Sequence, residues 1–501
     1  MTQNPVLSEG DLAPLLPGVA AFLDRTPTML IDGDWVGSVS GELLEVEDPA
    51  SGDVMAYVPA GDTPDVDAAV AAARSAFETG PWSRMGGAER AKLLWRLADL
   101  IENAQAELAQ LVTLENGKPV KAATREVVGG AELLRYMAGW TTKLEGASIP
   151  IRSPGSFHVY TRREPVGVAG QIIPWNFPVT MATWKLAPAL AAGCTVVLKP
   201  AEQTPLSALR IGELIADAGF PPGVVNIVTG LGHTAGAAIA AHPGVDKVAF
   251  TGSTEVGRLI LHAAAGNLKK VTLELGGKSP NIICADADVE VAAVGAGRAI
   301  FSNSGQFCAA GSRLYVHESV YDDVLAGLVA AAAKLRIGPG LGRDVDMGPL
   351  VSATQFERVT GYIADGTAAG ARAATGGNRW GERGYFVEPT VFTDVSEDMT
   401  IVREEIFGPV VTASPFHDLD EVARLANATP YGLGAGIWTR DLSTAHRLAA
   451  RIKSGTVWVN NYGGEDPAVP FGGYKESGWG REQGREGVET YTQTKSVMVR
   501  L

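Results

Sequence analysis

Between residues 166 and 250, apolar β-prone runs alternate with helical stretches, and this alternation constrains the fold more than any other feature. Val166-Gly-Val-Ala-Gly-Gln-Ile-Ile173 reads as a strand entering a loop, followed by a helix over 186–192. Thr195-Val-Val-Leu198 is the next strand and 205–218 the next helix. Val224-Val-Asn-Ile-Val228, a further helix and Lys247-Val-Ala-Phe250 complete the run. Repeated strand–helix–strand units of this kind imply an α/β fold with a doubly wound parallel sheet. The second half repeats the style, with strands near 280–284, 313–316 and 409–414 and helices near 318–335 and 354–366. It reads as a second α/β domain beginning near Gly277. Residues 63–145 read as mainly helical, from the apolar spacing in Val66-Asp-Ala-Ala-Val70 and Leu93-Leu-Trp-Arg-Leu97. In Glu115-Asn-Gly-Lys-Pro119, Gly and then Pro mark a helix end.

A length of 501 residues suggests about three domains. With 46% hydrophobic and 20% charged residues, the chain has the composition of a globular protein with a large core. The net charge of −14 speaks against nucleic acid as a partner, since that affinity rests on clustered Lys and Arg. Cys194, Cys284 and Cys308 are too few for a disulfide framework and suit a reducing compartment, here expected to be the cytoplasm. No pair of them has metal-ligand spacing, and the seven His residues do not cluster with them, so no metal is expected. Met1-Thr-Gln-Asn-Pro5 has no basic stretch leading into an apolar run, so no signal peptide is read. From Pro165 to Trp184 there are 20 residues without a charge, but Pro165, Pro174, Pro178, Gln171 and Asn176 interrupt them. A buried strand and a ligand loop fit that segment better than a membrane span.

Two residues carry the chemistry. Glu274 lies in Leu273-Glu-Leu-Gly-Gly277 and Cys308 in Gly305-Gln-Phe-Cys-Ala309, both among small residues that let a backbone approach a ligand closely. A thiolate can add to a carbonyl, and a carboxylate can activate the water that releases the product. With Pro174-Trp-Asn-Phe-Pro178, Phe250-Thr-Gly-Ser-Thr-Glu-Val-Gly257 and Glu404-Glu-Ile-Phe-Gly-Pro409, they make five motifs in the order and spacing of the aldehyde dehydrogenase superfamily. The chain resembles that superfamily over nearly its whole length.

The resemblance implies NAD-dependent oxidation of an aldehyde to a carboxylic acid. Cys308 would be the nucleophile, and the Asn176 side-chain amide and the Cys308 backbone N–H would receive the oxyanion. Hydride would pass to the nicotinamide, leaving a thioester that Glu274 hydrolyses with water. Members that pass the acyl group to coenzyme A typically lack a glutamate there, so Glu274 favours hydrolysis. Lys185 and Glu482 match positions proposed to relay protons, and equally suit a structural ion pair.

Two glycine-rich turns compete for the cofactor. Gly230-Leu-Gly-His-Thr-Ala235 fits the dinucleotide fingerprint, a pattern that arises easily in a chain with 60 glycines. The resemblance instead puts the pyrophosphate at Gly252, Ser253 and Gly257, where a helix N-terminus offers N–H groups. Lys199 and Glu202 follow a strand end and would reach the adenosine ribose, Glu202 favouring NAD over NADP by repelling a 2′-phosphate. Glu405 and Phe407 would hold and flank the nicotinamide ribose, and Ile172, Trp175 and Leu275 complete the cofactor set.

Phe177, Trp184, Phe307 and Phe471 resemble the walls of the family's substrate tunnel, which suits apolar or aromatic aldehydes. Glu465 stands where broad-range members often carry an aromatic; it either faces solvent at the mouth or selects a polar or cationic tail. Ala21-Phe-Leu-Asp-Arg25 ahead of Met29-Leu-Ile31, and Asp466-Pro-Ala-Val-Pro470, are similar to phenylacetaldehyde dehydrogenases. An aryl-acetaldehyde is therefore expected, with amino- or betaine-aldehydes as the alternative. A binding or structural member of the family is a distant third, since neither the thiol nor the base is lost.

Phe157-His-Val-Tyr-Thr-Arg-Arg163 and Thr490-Tyr-Thr-Gln-Thr-Lys-Ser-Val-Met-Val499 are β-prone and belong to neither sheet. In the family, segments at these places form a small protruding sheet that pairs with a neighbouring subunit, implying a homodimer or homotetramer. The expected organisation is an NAD-binding domain over 1–146 and 167–276 and a catalytic domain over 277–480. Oligomerisation segments would span 147–166 and 481–501.

Overall fold

A computed structural model of the chain describes residues 12–501; Met1-Thr-Gln-Asn-Pro5 lies outside the described residues. Two large sheets organise it, each built mainly from parallel strands. In the first, five strands are parallel, in spatial order Lys270–Glu274, Lys247–Thr251, Val168–Ile172, Thr195–Lys199 and Val225–Ile227. Every residue of Val168–Ile172 and Thr195–Lys199 is buried, as strands covered by helices on both faces must be. The chain winds outward from Val168–Ile172 in one direction, then restarts on its other side at Lys247–Thr251. That reversal is the topological switch point, and the loops leaving these two strands carry Trp175, Asn176, Gly252 and Ser253.

Short antiparallel strands close both edges: Met29–Ile31 and Asp34–Val36 on one side, Gly478–Trp479 on the other. The last of these lies beside Lys270–Glu274, pairing Glu274 with Gly478. Gly478 is required there: its φ is +107°, and a β-carbon would stand 2.0 Å from the Leu273 carbonyl oxygen. By this pairing a segment from the end of the chain reaches the general-base candidate.

The second sheet runs Thr390–Thr393, Val410–Phe416, Arg313–His317, Pro280–Ile283, Gly434–Trp438 and Thr456–Val459 in parallel. Arg372–Thr375 adds an antiparallel edge. Phe157–Pro165 and Thr492–Arg500 belong to neither large sheet and pair with each other, from Thr492 opposite Pro165 to Arg500 opposite Phe157. Most side chains of Thr492–Arg500 are exposed.

The helix expected over 186–192 begins earlier, at Pro178, and runs Pro178–Ala192. Pro178 sits in the first turn, where a missing N–H costs nothing and the ring's fixed φ suits a helix. Pro188 lies inside the same helix. Among the described residues no helix is long and apolar enough to cross a membrane.

Candidate active site

Glu274 ends its strand fully enclosed, and neither carboxylate oxygen has a hydrogen-bond partner. A buried polar group without a partner is costly, so it is rare outside working sites. Burial drives its pKa well above the ordinary carboxylate range; Glu482 adds to the rise, while Lys185 and Arg481 oppose it. Lys185 and Glu482 form a buried ion pair. The Lys185 carbonyl accepts from Gln171 Nε2 at 2.6 Å. The structure therefore brings Glu274, Lys185 and Glu482 into one electrostatic group.

Cys308 is half-buried, unlike the enclosed Cys194 and Cys284. Three consecutive left-handed residues, Asn303, Ser304 and Gly305, with φ of 51°, 55° and 72°, deliver it. Left-handed backbone is strained for the first two and is held by specific bonds. Ser304 Oγ donates to the Gly348 carbonyl at 2.8 Å, and Gln306 Oε1 accepts from Val351 N at 2.9 Å. A β-carbon at Gly305 would stand 1.9 Å from the Gly408 carbonyl oxygen, so only glycine lets the Cys308 loop lie against the Glu404-Glu-Ile-Phe-Gly-Pro409 motif. Burial first, then the charges of Glu465, Glu405 and Glu274, push the Cys308 thiol well above its ordinary pKa.

Asn176 is buried and its Nδ2 donates one hydrogen to the Gln306 carbonyl at 3.1 Å. A carboxamide nitrogen has two, so the second is left for a ligand. The Cys308 backbone N–H has no acceptor among the described residues. The tunnel candidates meet in two edge-to-face pairs, Phe177 with Phe307 at 5.8 Å and Trp184 with Phe471 at 5.5 Å between ring centres. Glu465 is exposed, in the loop between Tyr462 and Phe471.

At the cofactor candidates, Ser253 caps the helix Thr254–Ala264 by accepting from Val256 N, and Gly252 N donates to the Glu274 carbonyl at 3.1 Å. Gly257 faces Leu275 so closely that a β-carbon would stand 2.8 Å from its side chain. This turn follows Lys247–Thr251, whose Phe250 pairs with Ile172, at the switch point. The competing turn leaves Val225–Ile227, three strands along from Lys247–Thr251, and opens a short π-helical turn over Gly232–Gly236. Its Gly230 answers a packing demand, since a β-carbon would stand 2.3 Å from the Gly61 carbonyl oxygen.

Lys199 is buried, its Nζ donating to the Pro200 carbonyl at 2.8 Å and reaching Glu202 at 3.4 Å. Burial lowers the Lys199 pKa, which Glu202 partly restores. Glu405 accepts from Gly277 N at 2.9 Å, and its other oxygen would stand 2.1 Å from a β-carbon on Gly276. Burial pushes Glu405 up to about 7. Phe407, with φ +60°, meets Trp175 edge-to-face at 5.3 Å and accepts from Gln355 Nε2 at its carbonyl.

Sequence reasoning missed the residues that hold these groups. Lys118 was read as part of a helix stop; its Nζ donates to the Asn176 carbonyl at 2.8 Å and to Glu126 at 2.5 Å. Asn303 Nδ2 reaches the same Asn176 carbonyl at 2.9 Å. A lysine at a helix end is ordinarily exposed, so nothing in Glu115-Asn-Gly-Lys-Pro119 signals this contact.

Comparison with known proteins agrees with this geometry. The aldehyde dehydrogenase family profile matches residues 35–497. An aldehyde dehydrogenase from Bacillus cereus, solved as its NAD+ complex, superposes with a TM-score of 0.96 at 54% identity, covering 98% of this chain and all of that one. A mitochondrial benzaldehyde dehydrogenase of Antirrhinum majus is 50% identical over 490 residues, 97% of this chain and 91% of its own length. A phenylacetaldehyde dehydrogenase of Pseudomonas fluorescens is 51% identical over 478 residues, 94% of this chain and 95% of its own. The profile match over residues 35–497, and relatives half identical over more than nine-tenths of the chain, make this protein a member of the aldehyde dehydrogenase family.

Proposed function

We propose that this protein oxidises an aldehyde to its carboxylic acid with NAD, carrying the acyl group as a thioester on Cys308. The observation that carries the reading is Glu274, enclosed with both carboxylate oxygens free while the strained 303–305 loop presents Cys308. Cys308 gives up its thiol proton to solvent and adds as the thiolate to the aldehyde carbon, and the free Asn176 hydrogen and the Cys308 N–H receive the oxyanion. One such donor is typically worth about 3–4 kcal/mol in the transition state. As the oxyanion re-forms the carbonyl, the C–H bond breaks and its electron pair leaves. NAD, when bound, supplies the hydride acceptor. Glu274 then takes a proton from water; the hydroxyl adds to the thioester carbon, the C–S bond breaks, and the acid leaves. A carboxylate whose pKa is raised by burial is a stronger base than an ordinary one, which suits that task.

The residues present fit NAD. Gly252 and Ser253 offer a helix N-terminus at the switch point, Glu405 stands beside the Gly276-Gly277 backbone and Phe407 against Trp175. Glu202 beside Lys199 supports NAD over NADP, because a carboxylate there repels a 2′-phosphate. The ratio of kcat/KM for NAD over NADP is expected to exceed about tenfold, or roughly 1.4 kcal/mol. Glu202→Gln should narrow it chiefly through the KM for NADP, which steady-state kinetics with both cofactors will read. Equal ratios in the unaltered protein would show that Glu202 swings aside.

Two aromatic pairs share the apolar cluster that Cys308 packs against, and two relatives are named for aryl aldehydes, which supports an aryl-acetaldehyde substrate. Glu465 sets the charge preference at the mouth. Its carboxylate disfavours anionic tails and helps raise the Cys308 pKa. Alkylation of Cys308 by iodoacetamide should therefore rise with pH through a midpoint above that of an ordinary thiol. Glu465→Gln should lower that midpoint and improve turnover of aldehydes with a carboxylate tail. An unmoved midpoint would remove Glu465 from the site. The exposed ribbon of Phe157–Pro165 and Thr492–Arg500 supports subunit pairing. NADH absorbance on mixing the protein with NAD and a panel of aryl, amino and betaine aldehydes tests the whole reading; no NADH from any aldehyde would refute it.

A further inference from the structure

The Asn176 carbonyl oxygen collects two donors from opposite sides of the site. Lys118 Nζ reaches it at 2.8 Å from the helical layer, and Asn303 Nδ2 at 2.9 Å from the cysteine loop. Two bonds fill both lone pairs of a carbonyl. Neither donor is loose. Lys118 is buried, paired with Glu126 and seated 4.0 Å over the Phe177 ring. Glu126 Oε1 in turn accepts from Val179 N at 2.9 Å and Thr180 N at 3.1 Å, pinning the start of the helix Pro178–Ala192. Asn303 also donates to the Gln306 carbonyl at 3.2 Å, the oxygen that the Asn176 side chain uses. Behind them, Asn116 Nδ2 holds the Trp175 carbonyl at 2.9 Å.

From this network we infer that Asn303 and the Lys118–Glu126 pair are positioning residues, clamping the Asn176 peptide against the cysteine loop so that the two oxyanion donors keep a fixed separation. The inference rests on the reading of Asn176 as an oxyanion donor. The Asn176 amide comes from one sheet's loop and the Cys308 N–H from another's, so their separation depends on hydrogen bonds across the gap, among them Asn176 Nδ2 to the Gln306 carbonyl. Asn303 crosses that gap with a single NH2 group. Its left-handed backbone, φ +51°, aims the group, and asparagine tolerates that conformation better than most residues. A displacement of about 1 Å in such a cradle can cost about 100-fold in rate.

The test uses the full chain with NAD and phenylacetaldehyde. Asn303→Asp keeps the shape but removes both donors, and Asn303→Gly keeps the left-handed backbone without the side chain. Lys118→Met combined with Glu126→Gln removes the pair without stranding a buried charge. Single-turnover NADH formation is expected to slow about 10–100-fold in each variant that folds. The Kd for NAD and the iodoacetamide alkylation rate of Cys308, neither of which needs an oxyanion cradle, should stay within about twofold. Placed in an Asn176→Ala background, Asn303→Asp should cost less than about twofold more, because the side-chain donor that Asn303 positions is already gone although the backbone carbonyl it holds remains. A full, additive loss in that background would overturn the clamp, as would unchanged single-turnover rates in both Asn303 variants. An unaltered rate in Asn176→Ala alone would overturn the oxyanion reading itself, and the clamp with it.

Discussion

Cys308→Ala is expected to lose aldehyde oxidation by more than about 10⁴-fold while NAD still binds, because the thiol makes the covalent bond and is no part of the cofactor turn. The substitution removes one sulfur from a half-buried position, leaving the loop's anchors at Ser304 and Gln306 in place. Steady-state turnover and a tryptophan-quench titration with NAD read the two outcomes separately. Turnover above a small fraction of the unaltered rate would remove Cys308 as the nucleophile. So would inactivation by an alkylating agent that labels only Cys194 or Cys284. Both are enclosed whereas Cys308 is half-buried, and since burial raises all three thiols, access decides and neither should compete.

Glu274→Gln should separate the two halves of the reaction. Its carboxamide keeps the shape but cannot take a proton from water, so the block should fall after hydride transfer. Rapid mixing with NAD and phenylacetaldehyde should give a burst of NADH, up to one equivalent per site. Steady turnover should then drop by about 10²–10⁴-fold, the usual worth of a general base. The pH dependence has a definite sign. Burial raises the Glu274 pKa, so the carboxyl is neutral and idle at low pH and becomes a competent base as pH rises through that raised value. Deacylation in the unaltered protein should therefore climb with pH, and the climb should vanish in Glu274→Gln. Absence of both burst and turnover, with NAD binding retained, would place Glu274 before hydride transfer, as the group that deprotonates Cys308.

The parts of this fold legible in the sequence are those with local physical causes. Val168–Ile172 and Thr195–Lys199 are apolar throughout or nearly so because helices cover both faces, and their spacing exposes the βαβ pattern. The edge strands Met29–Ile31, Asp34–Val36 and Gly478–Trp479 were not read, being too short to show any period. The start of the Pro178–Ala192 helix was missed because Pro178 looks like a breaker until its place in the first turn is known. Cys308, Glu274 and Asn176 stood out by motif. The residues that hold them did not: Lys118 lies 58 positions and Asn303 127 positions from Asn176. Contacts over such separations leave no periodic trace. Gly230 sits in a phosphate-like pattern that glycine abundance alone makes common, and packing against Gly61 accounts for it.

The most direct measurement is the intact mass of Glu274→Gln, acid-quenched during its NADH burst with NAD and phenylacetaldehyde, followed by peptide mapping. A thioester mechanism predicts a mass increase of one phenylacetyl group per chain, located on the peptide that contains Cys308 and removed by hydroxylamine. NADH formed in the burst with no adduct, or with the adduct on any other residue, would contradict it.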